Sequence, residues 1–178
     1  MRTQKQIQTF HPEAGVTLME LIAALTVMAV IVVGALALYT SASSSQSSTQ
    51  LIQDVTSIRS AVKSMWQGQG TYGTSVINDT LVAAKRIPTT IKVDTATTPN
   101  TLTHVLNGTI TVTGATSTFT VAMTNITPDV CIPLLTTAQG WVSVQVASGT
   151  AITAFPIAPA TAATSCGTTA ATITFTGN

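Results

Sequence analysis

The stretch Gly15-Val16-Thr17-Leu18-Met19-Glu20, running straight into the apolar segment Leu21 to Leu38, decides how this chain is built. After Glu20 no charged residue occurs until Asp54, and between Leu21 and Leu38 only Thr26 and Gly34 interrupt the apolar side chains. At about 1.5 Å of rise per residue, a helix over that run spans roughly 27 Å, close to the hydrocarbon thickness of a bilayer. Glu20 then sits at or inside the apolar boundary, where an unpaired carboxylate is costly and is retained when it has a partner. A membrane-spanning or membrane-derived helix headed by one acid is the expectation from which the remaining residues are read.

Those six residues and the helix behind them resemble the type III signal of type IV prepilins and the related pseudopilins. The resemblance implies that a membrane-embedded prepilin peptidase cuts between Gly15 and Val16 and that the new amine of Val16 is N-methylated. It further implies that Glu20 pairs with the N-terminal amine of a neighbouring subunit during filament assembly. Elementary electrostatics agrees. A new ammonium at Val16 and the Glu20 carboxylate are both poorly solvated beside apolar helix, so each gains by meeting an opposite charge. Within one chain the two groups are about one turn apart, so an intrachain pair is open to the lone subunit. Between subunits the same pair selects an axial register, because a mis-stepped subunit leaves both charges unpaired.

Two plainer readings explain less. An ordinary secretory signal peptide, with Arg2 and Lys5 as its basic region, has a shorter apolar core and no glutamate in it. A simple single-pass anchor needs nothing special at Gly15 or Glu20. The leader 1–15 and the non-aromatic Val16 are similar to the type IVb branch of the pilins. A polar, mildly basic leader stays on the cytoplasmic side, which places the C-terminal part across the membrane.

Charge supports a structural role. Charged residues are 7% of the chain, and the formal net charge is +1. Without Arg2, Lys5 and Glu13 the charges balance, so neither nucleic acid nor acidic lipid is an electrostatic partner. Thr, Ser, Asn and Gln must keep such a surface wet, and a nearly neutral coat favours lateral association of filaments.

Beyond Leu38 the polar, serine-rich tract Thr40 to Gln50 has poor helix propensity, and with Gly34 it is the place where a long helix would bend or melt. Leu51, Val55, Ile58, Val62 and Met65 then recur at spacings of three and four, an amphipathic helix closed by Gly68-Gln69-Gly70. The expected organisation is therefore a leader 1–15, an apolar and protruding helix 16–50, its amphipathic half 51–70, a connecting region 71–104 and a sheet region 105–178. The connecting region carries a short helical piece near Thr80 to Arg86 and the only adjacent basic pair, Lys85 and Arg86, read as a solvated face.

From Val105 the period changes to two. Ile110 and Val112, then Phe119, Val121 and Met123, flank Gly114-Ala115 as a hairpin. Val142, Val144 and Val146 give a third strand, and Ile173 and Phe175 a fourth. Threonine on the alternating positions suits strands with one wet face. The fold expected is α+β: a long N-terminal helix packed on an antiparallel sheet, the type IV pilin fold. Cys131 and Cys166 are the only cysteines. For an exported domain an even pair reads as one disulfide, the alternative being two free or redox-active thiols. In position it matches the disulfide bounding the variable C-terminal region of type IV pilins, here 131–166, so residues 132 to 165 are where contacts to an unknown surface receptor or a neighbouring subunit are expected.

No catalytic, metal or cofactor constellation is legible. His11 and His104 are far apart in sequence, and His104 reads as a surface or sheet-edge residue. The acids are scattered. The function expected is a structural subunit, not an enzyme: a type IVb-like pilin, held in the inner membrane as precursor and polymerised by the inner-membrane assembly machinery into an extracellular filament for adhesion, aggregation or conjugative contact. Its partners are copies of itself, prepilin peptidase and, before assembly, the membrane. The alternatives are a major pseudopilin of a type II secretion system and a minor pilin or tip adhesin. A major subunit is distinguished by dominating the protein of sheared filaments.

Overall fold

The computed structural model describes residues 17–178, so Gly15 and Val16 lie outside the described residues. Helix α1 runs from Leu18 to Met65. The serine tract does not interrupt it, because its hydroxyls bond back onto the helix instead of competing with it. Ser48 Oγ donates to the Ser45 carbonyl (3.0 Å), and Thr49 Oγ1 donates to the same carbonyl (3.0 Å). Thr26 and Thr40 do the same onto Ala23 and Ala37.

The chain divides into two compact units, the second being Ser41–Asn178. In that second unit α1 buries Leu51, Val55, Ile58, Ala61 and Val62, the stripe read from spacing. Opposite lie the inward residues of a six-stranded antiparallel sheet in the order β1-β2-β3-β4-β6-β5. The strands are β1 (Lys92–Asp94), β2 (Thr101–Thr103), β3 (Thr109–Gly114), β4 (Phe119–Ile126), β5 (Ser143–Val146) and β6 (Ala171–Gly177). Leu102, Ile110, Val112, Val121, Met123, Ile173 and Phe175 are all essentially inaccessible. Burying each large aliphatic or aromatic side chain contributes about 1.5–3 kcal/mol, which is what holds the helix to the sheet.

The sheet begins earlier than the change of period at Val105. Strands β1 and β2 pair in register Val93↔Leu102 inside the stretch expected to be a connection. Three residues are too few to show a period of two, which is why they escape a reading by alternation. Nor does hairpin order hold throughout, since β6 lies between β4 and β5, pairing Val121↔Phe175 on one side and Val144↔Phe175 on the other. Three shorter helices complete the unit: α2 (Asn78–Ala83), α3 (Pro128–Thr136) and α4 (Pro159–Cys166). The last two open with proline in the first turn, where a missing N–H costs nothing, and that was the available signal for them.

Asn78 closes a gap in the sheet. Strand β2 covers only the first part of β3, and the segment around Val76 covers the far end through a Val76↔Thr113 bridge. Between them the buried Asn78 amide stands in for backbone: Oδ1 accepts the Val112 N–H (2.9 Å), and Nδ2 donates to the carbonyls of Asn100 (3.0 Å) and Ile110 (3.2 Å). Asn78→Ala leaves those groups without partners in the interior and is expected to cost about 3 kcal/mol, read as a lowered denaturation midpoint of the detergent-solubilised chain. A loss under about 1 kcal/mol contradicts this role.

Candidate functional site

The N-terminal end of α1 is closed by a threonine N-cap. Thr17 precedes the helix, its carbonyl accepts the Leu21 N–H (3.1 Å), and its Oγ1 accepts the Glu20 N–H (3.3 Å). The Thr17-x-x-Glu20 spacing carries that signal in the sequence, and a reading that took Thr17 only as part of a cleavage motif passes over it. The cap fixes the first turn and so the point from which the Glu20 side chain departs. Glu20 itself is exposed, as is the band behind it: Leu18 is 77% accessible, Val30 74% and Tyr39 72%. The helix is long and apolar enough to cross a membrane. An apolar rod exposed along its length, with one acid in its first turn, is a surface made to be covered.

Within the second unit the structure joins Cys131 on α3 to Cys166 at the end of α4, with Cα atoms 5.9 Å apart. Both are buried. The bridge closes a segment that holds β5, the sheet edge beyond β6. A further staple, not legible in the sequence, holds the same segment to α1. The Arg59 guanidinium lies over the Trp141 ring (5.1 Å), and its two terminal nitrogens donate to the carbonyls of Gln139 and Gly140. Gly140 has φ +74°, and a Cβ there would strike the guanidinium, so the turn takes glycine for two reasons. Trp141 continues an aromatic row between Phe119 (6.1 Å) and Phe175 (5.1 Å).

His104 corrects the sequence reading: it is 3% accessible, not a surface residue. Its ring lies in a slot that Gly108 leaves open, since a Cβ on Gly108 would meet the ring and the Thr124 carbonyl. Nδ1 accepts the Leu106 N–H (3.3 Å) and so carries no proton, while Nε2 donates to the Thr124 carbonyl (2.9 Å). Burial lowers its pKa below the ordinary histidine value, partly offset by the Thr124 carbonyl and by the Asp54 charge. Asp54, on the buried face of α1, has its pKa raised by burial against the Thr90 hydroxyl, which donates to Oδ1, and against His104. Its Oδ2 has no partner.

The signs oppose. Unfolded His104 binds a proton that the folded form resists, so its contribution is complete above about pH 6.5 and is lost as pH falls through the depressed folded pKa. Asp54, with a raised folded pKa, favours the folded state as pH falls. Comparing wild type with His104→Gln isolates the first effect. From pH 7 to 5 the wild type is expected to lose stability relative to the variant, by at most about 1.4 kcal/mol per pH unit for one proton. Parallel pH profiles of the two denaturation midpoints contradict this.

Lys85 and Arg86 are exposed and line an open groove with Gln53, Ser57, Ser60 and Ser64 of α1. Among the described residues no group of three or more His, Cys, Asp or Glu side chains is placed to hold a metal ion.

Against known proteins, residues 44–178 match the model of the family described as PilS N terminal. The chain belongs to that family. Two crystal structures share the fold. A type IVb pilin from Salmonella typhi superposes with a TM-score of 0.61 at 20% identity, covering 73% of this chain and 98% of its own. TcpA, a type IV pilin from Vibrio cholerae El Tor, gives a TM-score of 0.54 at 15% identity, covering 75% of this chain and 99% of its own. No curated protein matches the chain significantly by sequence. Long helix, antiparallel sheet and C-terminal disulfide together are the type IVb pilin fold, and a PilS-family chain with that fold is a structural subunit of a pilus. The matched residues stop short of the PilS-family chain's apolar band, so Glu20 and the exposed helix rest on the chemistry described above.

Proposed function

We propose that this pilin is the polymerising subunit of a type IVb pilus. It is made as a precursor in the bacterial inner membrane, cut by prepilin peptidase between Gly15 and Val16, and N-methylated at Val16. The inner-membrane assembly machinery then adds it to a growing filament through α1. The observation that carries this reading is the exposed apolar band of α1 with Glu20 in its first turn. In the membrane, lipid covers that band. In a filament, the same band of other subunits covers it, and Glu20 meets the Val16 ammonium of a neighbour. The filament stands outside the cell, where residues 132 to 165, bounded by the disulfide, offer the surface for adhesion, aggregation or conjugative contact with a receptor. The family match favours this over a pseudopilin of a secretion system.

Mass spectrometry and N-terminal sequencing of filaments sheared from the cell surface test the proposal. The expected result is this chain as the dominant protein, beginning at a methylated Val16. Filaments whose subunit retains residues 1–15 overturn the processing, and filaments in which the chain is only a trace component make it a minor pilin or tip adhesin instead.

A further inference from the structure

The face of the sheet turned away from α1 is paved with hydroxyls. Along the strand register Thr113, Thr120, Thr176 and Ser143 stand side by side across β3, β4, β6 and β5. The next rank is Thr111, Ala122, Thr174 and Gln145. All of these are partly exposed, and they alternate with the buried residues of the core. Strands about 4.8 Å apart and alternate residues about 6.8 Å apart make this a continuous, charge-free surface. Its only charges lie on the edge strand β1, where Lys92 and Asp94 are exposed and, paired with Thr103 and Thr101, point the same way as the threonines.

Two opposite charges two residues apart on a rim make that rim self-complementary. A second copy turned by a two-fold axis across the strands sets Lys92 of one molecule against Asp94 of the other, and the reverse, while the neutral threonine ranks meet without repulsion. A charged face would oppose such a contact, and this one does not. We infer that the threonine face, with Lys92 and Asp94 at its rim, is an isologous contact surface through which copies of this chain in separate filaments pair side by side. The occupant is a second copy because the charge pattern matches itself.

This rests on the filament reading above, and the experiment separates the two. Filaments are sheared from cells expressing the full chain, counted as single or bundled by electron microscopy, and assayed by low-speed sedimentation. Wild-type filaments are expected to bundle. Asp94→Lys, which sets lysines against lysines, is expected to lower the sedimenting fraction at least about fivefold at unchanged filament yield, and the double change Lys92→Asp with Asp94→Lys is expected to restore it. Thr174→Lys, in the middle of the face, is expected to give single filaments. No filaments from wild type undo the pilus reading and this inference with it. Wild-type filaments that stay single, a charge exchange that restores nothing, or Thr174→Lys filaments that bundle normally overturn the inference alone.

Discussion

Glu20→Ala and Glu20→Gln subunits are expected to lose the leader normally yet to yield almost no filaments. Glutamine keeps the shape of the side chain and removes only its charge, and the Thr17 cap on the Glu20 N–H does not involve the carboxylate. A failure of both variants therefore reports the charge. Breaking one partner of a desolvated ion pair costs about 3–5 kcal/mol, which corresponds to roughly two to four orders of magnitude in the equilibrium for adding a subunit. The readout is the mass of sheared filaments divided by the pool of processed subunit in the membrane. If either variant gives filaments within about twofold of wild type, Glu20 is not the register device assigned to it, although the chain can remain a pilin.

The second large effect is that of the disulfide. With both cysteines changed to alanine, the loop between residues 131 and 166 gains freedom in the unfolded chain worth about 3–4 kcal/mol in the chain-entropy model. The buried sulfur positions, near Leu134, Leu135 and Ala162 in sequence, also lose packing. The denaturation midpoint is expected to fall accordingly, and reduced filaments are expected to be cut first by protease between residues 131 and 166. The rest of the sheet is held by the Asn78 bridge and the α1 stripe, so β3 and β4 should stay protected longest. A variant with an unchanged midpoint means that Arg59 and Trp141 already fix the segment without the bridge.

Much of this protein is written in local pattern. The apolar run with its acid, the stripe at Leu51 to Val62, and the alternation at Ile110 to Met123 and at Ile173 to Phe175 each state a period, and a period states which side is buried. That is why the α+β class and the helix-on-sheet core were legible. Helices α3 and α4 were legible in principle from Pro128 and Pro159, but one proline is a weak mark beside a strong hydrophobic period. Strands β1 and β2 were not, since three residues carry no measurable alternation.

Sequence by itself determined the exposed apolar helix, its single acid and the inward face of α1, β3, β4 and β6, because those follow from side-chain chemistry repeated at fixed intervals. Only the tertiary structure decided that β6 enters between β4 and β5, that Asn78 stands in for a missing strand, that Arg59 grips the Gln139–Gly140 turn, and that His104 is buried. Each of these depends on which distant residue arrives alongside. Pairing between strands far apart in sequence is set by the competition of whole packings, and no local window contains the partner.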